Sequence, residues 1–125
     1  MTAFDEFEDH DAVGLATLIR EGGVTAAEVL EAAIARCEAR NPALNAVVME
    51  LYDHGRAAVA GDIPDGPPAG VPYLIKDLGA TLAGTPTTGG SKFMVDVVPD
   101  TDSETVTRLK AAGMAIFGKT NTCEF

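Results

Sequence analysis

Gly70-Val71-Pro72-Tyr73-Leu74-Ile75-Lys76-Asp77 is an apolar run that ends in a cation followed at once by an anion. Val71, Tyr73 and Ile75 favour a strand, and Pro72 suits its first or edge position, where a missing N–H costs no ladder bond. The approach, Asp62-Ile63-Pro64-Asp65-Gly66-Pro67-Pro68-Ala69-Gly70, is rich in turn residues and reads as a loop. Lys76 is therefore expected at the carboxyl end of a buried strand, and in open α/β sheets that edge is where ligands bind. Two readings of such a lysine stand side by side: a side chain that snorkels to water, or a group that works at a site.

Downstream, residues 78–100 are rich in Gly, Thr and Pro, and a loop of that length in a compact domain is usually functional or covers a site. Thr101-Asp102-Ser103-Glu104 has the form of a capping box, and the helix behind it presents Val106, Leu109 and Lys110 before Gly113 ends it. Met114-Ala115-Ile116-Phe117 is a second apolar strand, closed by Gly118-Lys119-Thr120-Asn121. Strand, helical crossover and strand make a βαβ unit over about 71–119 with parallel strands. Lys76 and Lys119 both fall at its carboxyl edge. Both strands are apolar on nearly every residue, the pattern of central strands covered on two faces.

Upstream, Val13, Ala16 and Ile19, with Leu15 and Leu18 beside them, predict a helix over 12–20 that Glu21-Gly22-Gly23 closes with a left-handed glycine. Thr25-Ala26-Ala27-Glu28 is a capping box opening a second helix, with Val29, Ala33 and Cys37 on one face, which Asn41-Pro42 should stop. In residues 44–51, Val47, Met49 and Leu51 alternate like a strand, while Ala46, Met49 and Glu50 would also suit a helix; we read a short strand running into a helix over 52–60. The acidic run Asp5-Glu6-Phe7-Glu8-Asp9-His10-Asp11 reads as a solvated, frayed start.

The 125 residues fit one domain at most, and 46% hydrophobic with 22% charged residues is ordinary globular composition. Nine basic against nineteen acidic residues give −10, which opposes binding to nucleic acid. No apolar run is long enough to cross a bilayer, and a cytoplasmic setting with reduced thiols is the expectation. Cys37 and Cys123 form no CxxC, and His10 and His54 are isolated, so neither a metal nor a cofactor is expected.

Two patterns carry chemistry. Gly113-Met114-Ala115-Ile116-Phe117-Gly118-Lys119-Thr120 fits GxxxxGK[ST], the phosphate-cradling loop. Its context is wrong, because the intervening residues are themselves the apolar strand and a helix precedes Gly113. The second pattern is a series of blocks in order. Gly70-Val71-Pro72 precedes Leu74-Ile75-Lys76-Asp77. Gly84-Thr85-Pro86-Thr87-Thr88-Gly89-Gly90-Ser91 follows. Arg108-Leu109-Lys110-Ala111-Ala112-Gly113 then runs into Gly118-Lys119-Thr120-Asn121 and Glu124-Phe125. This series resembles the amidase signature family, and residues 15–20 and 25–45 look like that family's N-terminal helices.

The resemblance implies an α/β fold, a mixed sheet covered by helices, of which residues 1–125 form the N-terminal portion of one domain. It implies hydrolysis of a small-molecule carboxylic amide through a Ser–cis-Ser–Lys triad, with Lys76 as the triad lysine. A lysine held neutral by burial can take a proton through a bridging hydroxyl, which agrees with that role. Asp77 matches the family's acidic residue beside the lysine, with a turn cap as its plainer reading. Thr120 and Asn121 match positions lining the same edge, with capping of the strand end as theirs. Lys119 reads as a structural or surface charge rather than a second base. The family's Gly-Gly-Ser-Ser-Gly-Gly-type segment, which carries the nucleophile, the bridging serine and the oxyanion-hole amides, does not occur in the 125 residues. Gly89-Gly90-Ser91 belongs to an earlier block and does not replace it, and Ser103 is explained by its place at a helix start.

These residues by themselves are therefore expected to be inactive, and their open sheet edge to favour self-association or homo-oligomers. The alternatives are the glutaminase-type subunit of a tRNA-dependent amidotransferase, a non-catalytic fragment, and a P-loop nucleotide binder. Because the GxxxxGK[ST] match lies across a strand, calorimetric titration with ATP or GTP is expected to show no saturable binding. Micromolar binding that disappears in Lys119→Ala would overturn that expectation and the strand assignment together.

Overall fold

The computed structural model describes residues 4–125. Helix α1 (Ala12–Arg20) leads through Gly22, at φ 78°, into α2 (Ala26–Leu44). Strand β1 (Val47–Glu50) runs into α3 (Tyr52–Ala60), and a loop then delivers the chain to β2 (Pro72–Lys76). Helix α4 (Glu104–Ala111) and β3 (Ala115–Thr120) complete the order. The sheet is mixed, in the order β1-β3-β2: β2 and β3 are parallel, as the βαβ reading requires, and β1 is antiparallel to β3.

Helices α2 and α3 cover one face of the sheet, where Leu30, Ala33 and Ile34 meet Phe117, flanked by Tyr52, Val59 and Leu74. Helix α4 and the long loop cover the other, where Val106 and Leu82 pack on Ile75 and Ile116. Helix α1 seals the end of the helix layer through Leu15 and Ala16 against Val24, Val29 and Val71.

Strand β3 is buried along Ala115–Lys119, but β2 is an edge strand, and only its Ile75 is fully covered. The expectation of a central, doubly covered strand holds for β3 and not for β2. Strand β3 is also longer than its apolar residues suggested, because Gly118-Lys119-Thr120 continue the ladder instead of closing it.

The register shifts once in each strand pair: between Val47 and Met49 against β3, and within the parallel pair. Tyr73 faces Ile116 and Leu74 faces Gly118, so Phe117 is skipped. Its carbonyl accepts from the Leu51 N–H (3.0 Å), and the Ile116 carbonyl accepts from His54 Nδ1 (2.9 Å), so the start of α3 satisfies what the irregular ladder leaves open. A Cβ on Gly118 would lie 2.9 Å from Leu74 Cδ2 and 2.9 Å from the Met49 carbonyl.

Three local expectations need correction. Pro42 does not end α2; it sits in the last turn, and Asn45, left-handed at φ 50°, is the cap. A proline there removes one hydrogen bond, to the carbonyl of the exposed Glu38. Asn41 then turns the chain into β1, its side chain both donating to and accepting from the Val47 backbone at 2.8 Å. Residues 101–104 are not a capping box. Ser103 is the N-cap of α4, accepting from the Val106 N–H, while Asp102 accepts from the Ala83 N–H and from Lys110. The acidic start is docked, not frayed. Asp5–Asp9 form a 3-10 turn, Phe7 packs against both the Leu15–Val29 group and the Leu30–Phe117 group, and Arg40 and Arg36 both hold Glu8, keeping its carboxyl below the usual range. Asp11 caps α1 by accepting from the Gly14 N–H (2.8 Å).

Gly118→Ala is expected to destabilise the fold by about 1–3 kcal/mol, because both atoms its Cβ would meet are held by the sheet or its packing. The shift of the denaturant midpoint in the complete gene product checks this.

Candidate active site

The parallel pair β2 and β3 brings Lys76 beside Thr120, and Ile75 beside Lys119. Side chains alternate along a strand, so Ile75 and Lys119 face the loop and α4, while Lys76 and Thr120 face the helix layer. The Lys76 side chain is exposed and makes no hydrogen bond or ion pair among the described residues.

The residue after it is fixed from every side. Asp77 is only 3% exposed. Its N–H donates to the Thr120 carbonyl (3.1 Å), and its own carbonyl accepts from the Gly89 N–H (2.8 Å). Its carboxylate accepts from both the N–H (2.9 Å) and the hydroxyl of Thr88. A carboxylate with two such donors can sit in the interior without an ion pair in contact.

Residues 85–91 thus form a strap across the carboxyl ends of the two parallel strands. Lys119 fastens it from beneath: fully buried, its amine donates to the Pro86 carbonyl and to Thr87 Oγ1 (3.2 Å). Desolvation pushes the Lys119 pKa down, and the Asp77 charge partly opposes that shift. The far end of the strap is held by Ser91, 4% exposed, whose hydroxyl donates to Glu124 Oε1 (2.8 Å), while the Phe125 N–H donates to the Gly89 carbonyl (2.8 Å). Gly90, at φ 71°, passes so close to residues 122–123 that a Cβ would lie 2.8 Å from the Cys123 carbonyl.

Of the residues singled out from sequence, the structure gathers Lys76, Asp77 and Thr120 at one strand end. Asn121 turns to the other side of the sheet, where its N–H donates to the Ala46 carbonyl and its amide to the Asn45 carbonyl. Sequence reasoning passed over Thr87, Thr88 and Glu124. The length and Gly/Thr/Pro content of the loop signalled that it covers something, but no spacing rule pairs Asp77 with Thr88. Among the described residues, no group of three or more His, Cys, Asp or Glu side chains is placed to hold a metal ion, and no helix is long and apolar enough to cross a membrane.

The amidase family model matches residues 28–125. The chain belongs to the amidase family. It is 41% identical over 116 residues to the 6-aminohexanoate-cyclic-dimer hydrolase of Paenarthrobacter ureafaciens, a match covering 91% of this chain and 23% of that enzyme. It is 40% identical over 126 residues to a glutamyl-tRNA(Gln) amidotransferase subunit from Lachnospira eligens, covering 94% of this chain and 26% of the relative. A solved structure of a 6-aminohexanoate cyclic dimer hydrolase superposes with a TM-score of 0.84 at 41% identity, over 92% of this chain and 24% of that one. The chain therefore spans about a quarter of the length of the relatives it matches.

The direction of the Lys119 shift fixes a pH dependence. The native state binds that proton less tightly than the unfolded chain, where the ordinary value is 10.5. The unfolded state therefore holds more protons between the lowered native value and 10.5, and unfolding free energy gains a rising contribution across that window. Relative to Lys119→Met, the wild-type protein is expected to gain stability from neutral pH toward 10.5. Parallel denaturation of the two proteins across that range checks the sign.

Proposed function

We propose that these residues serve amide-bond hydrolysis, with Lys76 as the base of a Ser–cis-Ser–Lys relay acting on a small-molecule amide. The observation that carries the reading is the placement of Lys76: a free amine at the carboxyl end of a parallel strand, followed by a peptide unit that the Asp77–Thr88 clasp immobilises. A base needs a fixed origin for a side chain that still reaches outward, and this arrangement supplies both. Family membership and 41% identity to an amide hydrolase support the same reaction class. The serine block that supplies nucleophile and bridge in the family does not occur in these residues, so they contribute the lysine and its mounting.

In the relay, the neutral amine of Lys76 takes a proton from the bridging hydroxyl as that hydroxyl takes one from the attacking serine. The proton returns by the same route to the leaving amine. Asp77 and Thr120 hold the strand end from which Lys76 reaches, and Asn121 anchors the chain leaving Thr120 to the loop before β1.

A second reading, the glutaminase-type component of a tRNA-dependent amidotransferase, is supported by the 40% identity to a protein of that kind. Ammonia released from glutamine but from no other amide would favour it.

In the complete gene product, Lys76→Ala is expected to abolish ammonia release without unfolding the protein. Lys76→Arg is expected to be equally inactive, because a guanidinium does not give up its proton. Near-normal turnover in either variant would remove Lys76 from the mechanism.

A further inference from the structure

Lys119 has no part in the proton relay, yet it is the largest fully buried side chain in the fold. A lysine is rarely found fully buried without a partner, and an aliphatic residue would fill the same space without its desolvation cost. The donors of its amine are spent on two consecutive strap residues, the Pro86 carbonyl and the Thr87 hydroxyl. The next residue, Thr88, is the one that grips Asp77 through both its N–H and its hydroxyl. The one after that, Gly89, donates to the Asp77 carbonyl. Four successive strap residues thus join Lys119 on one side to the Lys76–Asp77 peptide on the other.

The link is direct in space as well. Lys119 neighbours Ile75 in the parallel register, and the carbonyl of the residue after Lys119 accepts from the Asp77 N–H. The strap has few other ties at its centre. Glu124 and Phe125 hold only its far end, at Ser91 and Gly89, and the Val97 carbonyl accepts from the Thr87 N–H at 3.2 Å.

We propose that Lys119 is a positioning residue for Lys76: by pinning Pro86 and Thr87 from inside the fold, it holds Thr88 and Gly89 on Asp77 and so fixes the peptide from which the Lys76 amine reaches. This inference rests on the reading of Lys76 as the base. Lys119 touches no reacting atom. Its effect passes through the strap, so its loss loosens the strand end and leaves the rest of the sheet in place.

The test compares wild type, Lys119→Met and Thr88→Val in the complete gene product, by amide hydrogen exchange and by amide turnover. Lys119→Met keeps the length and apolar stem of the side chain and removes the donors. Thr88→Val cuts the same chain of contacts one step further on, and it decides the matter if Lys119→Met does not fold. Both variants are expected to raise exchange at the Asp77 and Gly89 amides by tenfold or more, with the Ala115 amide, which bonds to Val71 in the same sheet, unchanged. Both are expected to lower kcat by tenfold or more with KM within about twofold, since the base is misplaced while substrate binding is not.

Exchange at Asp77 and Gly89 as slow as in wild type would overturn the proposal, and so would a uniform rise that includes Ala115, which marks plain destabilisation. Unchanged kcat despite a loosened strap would overturn it as well. Failure of the underlying reading looks different. If Lys76→Ala keeps its turnover, or the wild-type protein hydrolyses no amide, Lys76 is not the base, and exchange at the strap still decides whether Lys119 holds the Asp77 peptide.

Discussion

Everything at the strand end depends on a bulge in β3. Phe117 and Gly118 both face the helix layer: Phe117 packs on Leu30 and Ile34, and Gly118 lies under Leu74 and Val47. Two consecutive residues on one face shift the alternation by one, so Lys119 points to the loop side and Thr120 to the side of Lys76. A regular strand would reverse both. The amine of Lys119 would then lie in the helix layer, with no strap to bond to, and Thr120 would no longer share a face with Lys76. Only glycine fits at the second position of the bulge, because the neighbouring side chain and a backbone carbonyl both lie within 3 Å of any Cβ. The bulge thus sets, from one backbone irregularity, which way Lys119 and Thr120 point.

The two lysines show how one residue type is put to opposite uses by what surrounds it. Lys119 lies where Ile75, Leu82 and Ile116 exclude water, and its charge is tolerated because acceptors are built around it. Lys76 lies on an edge strand, two residues on from Leu74, which with Phe7, Cys37, Leu44, Val47 and Phe117 among others lines an apolar groove of about 360 Å³. Asp77 separates their roles. It is close enough to Lys119 for its charge to oppose the desolvation shift, yet its carboxylate is spent on Thr88. The Lys76 amine has no carboxylate partner among the described residues.

Local chemistry made most of the frame legible from sequence. Helix α1, the Thr25–Glu28 capping box, the run of β1 into α3 and the start of β2 at Pro72 follow from periodicity and caps, which act within a few residues. What stayed hidden acts over distance. Pro42 reads as a stop because its clash is local, while the Asn41–Val47 clamp that lets the helix finish its turn is not. The acidic start reads as solvated because its partners, Arg36 and Arg40, come from another helix. At the site, the order of blocks was enough to single out Lys76 and Asp77. The partner of Asp77 lies eleven residues on and that of Lys119 more than thirty residues back, and no pattern of residue types encodes such a meeting.

The two faces of the sheet are finished to different degrees, and that difference bears on chemistry. On the loop face the polar groups around Asp77, Lys119 and Ser91 are paired and closed off. On the helix face, at the outer edge of β2, the Lys76 side chain meets solvent. In the proposed relay, abstracting a proton requires the neutral amine of Lys76, and removal of water from around it is the direct physical route to that form. Among the described residues nothing covers the Lys76 amine, whereas the peptide from which it reaches is fixed through Asp77 and the strap. Positioning and desolvation are thus separable contributions in this fold. The first rests, in the proposed relay, on β2, β3 and the strap, and the second requires a surface laid over the exposed Lys76.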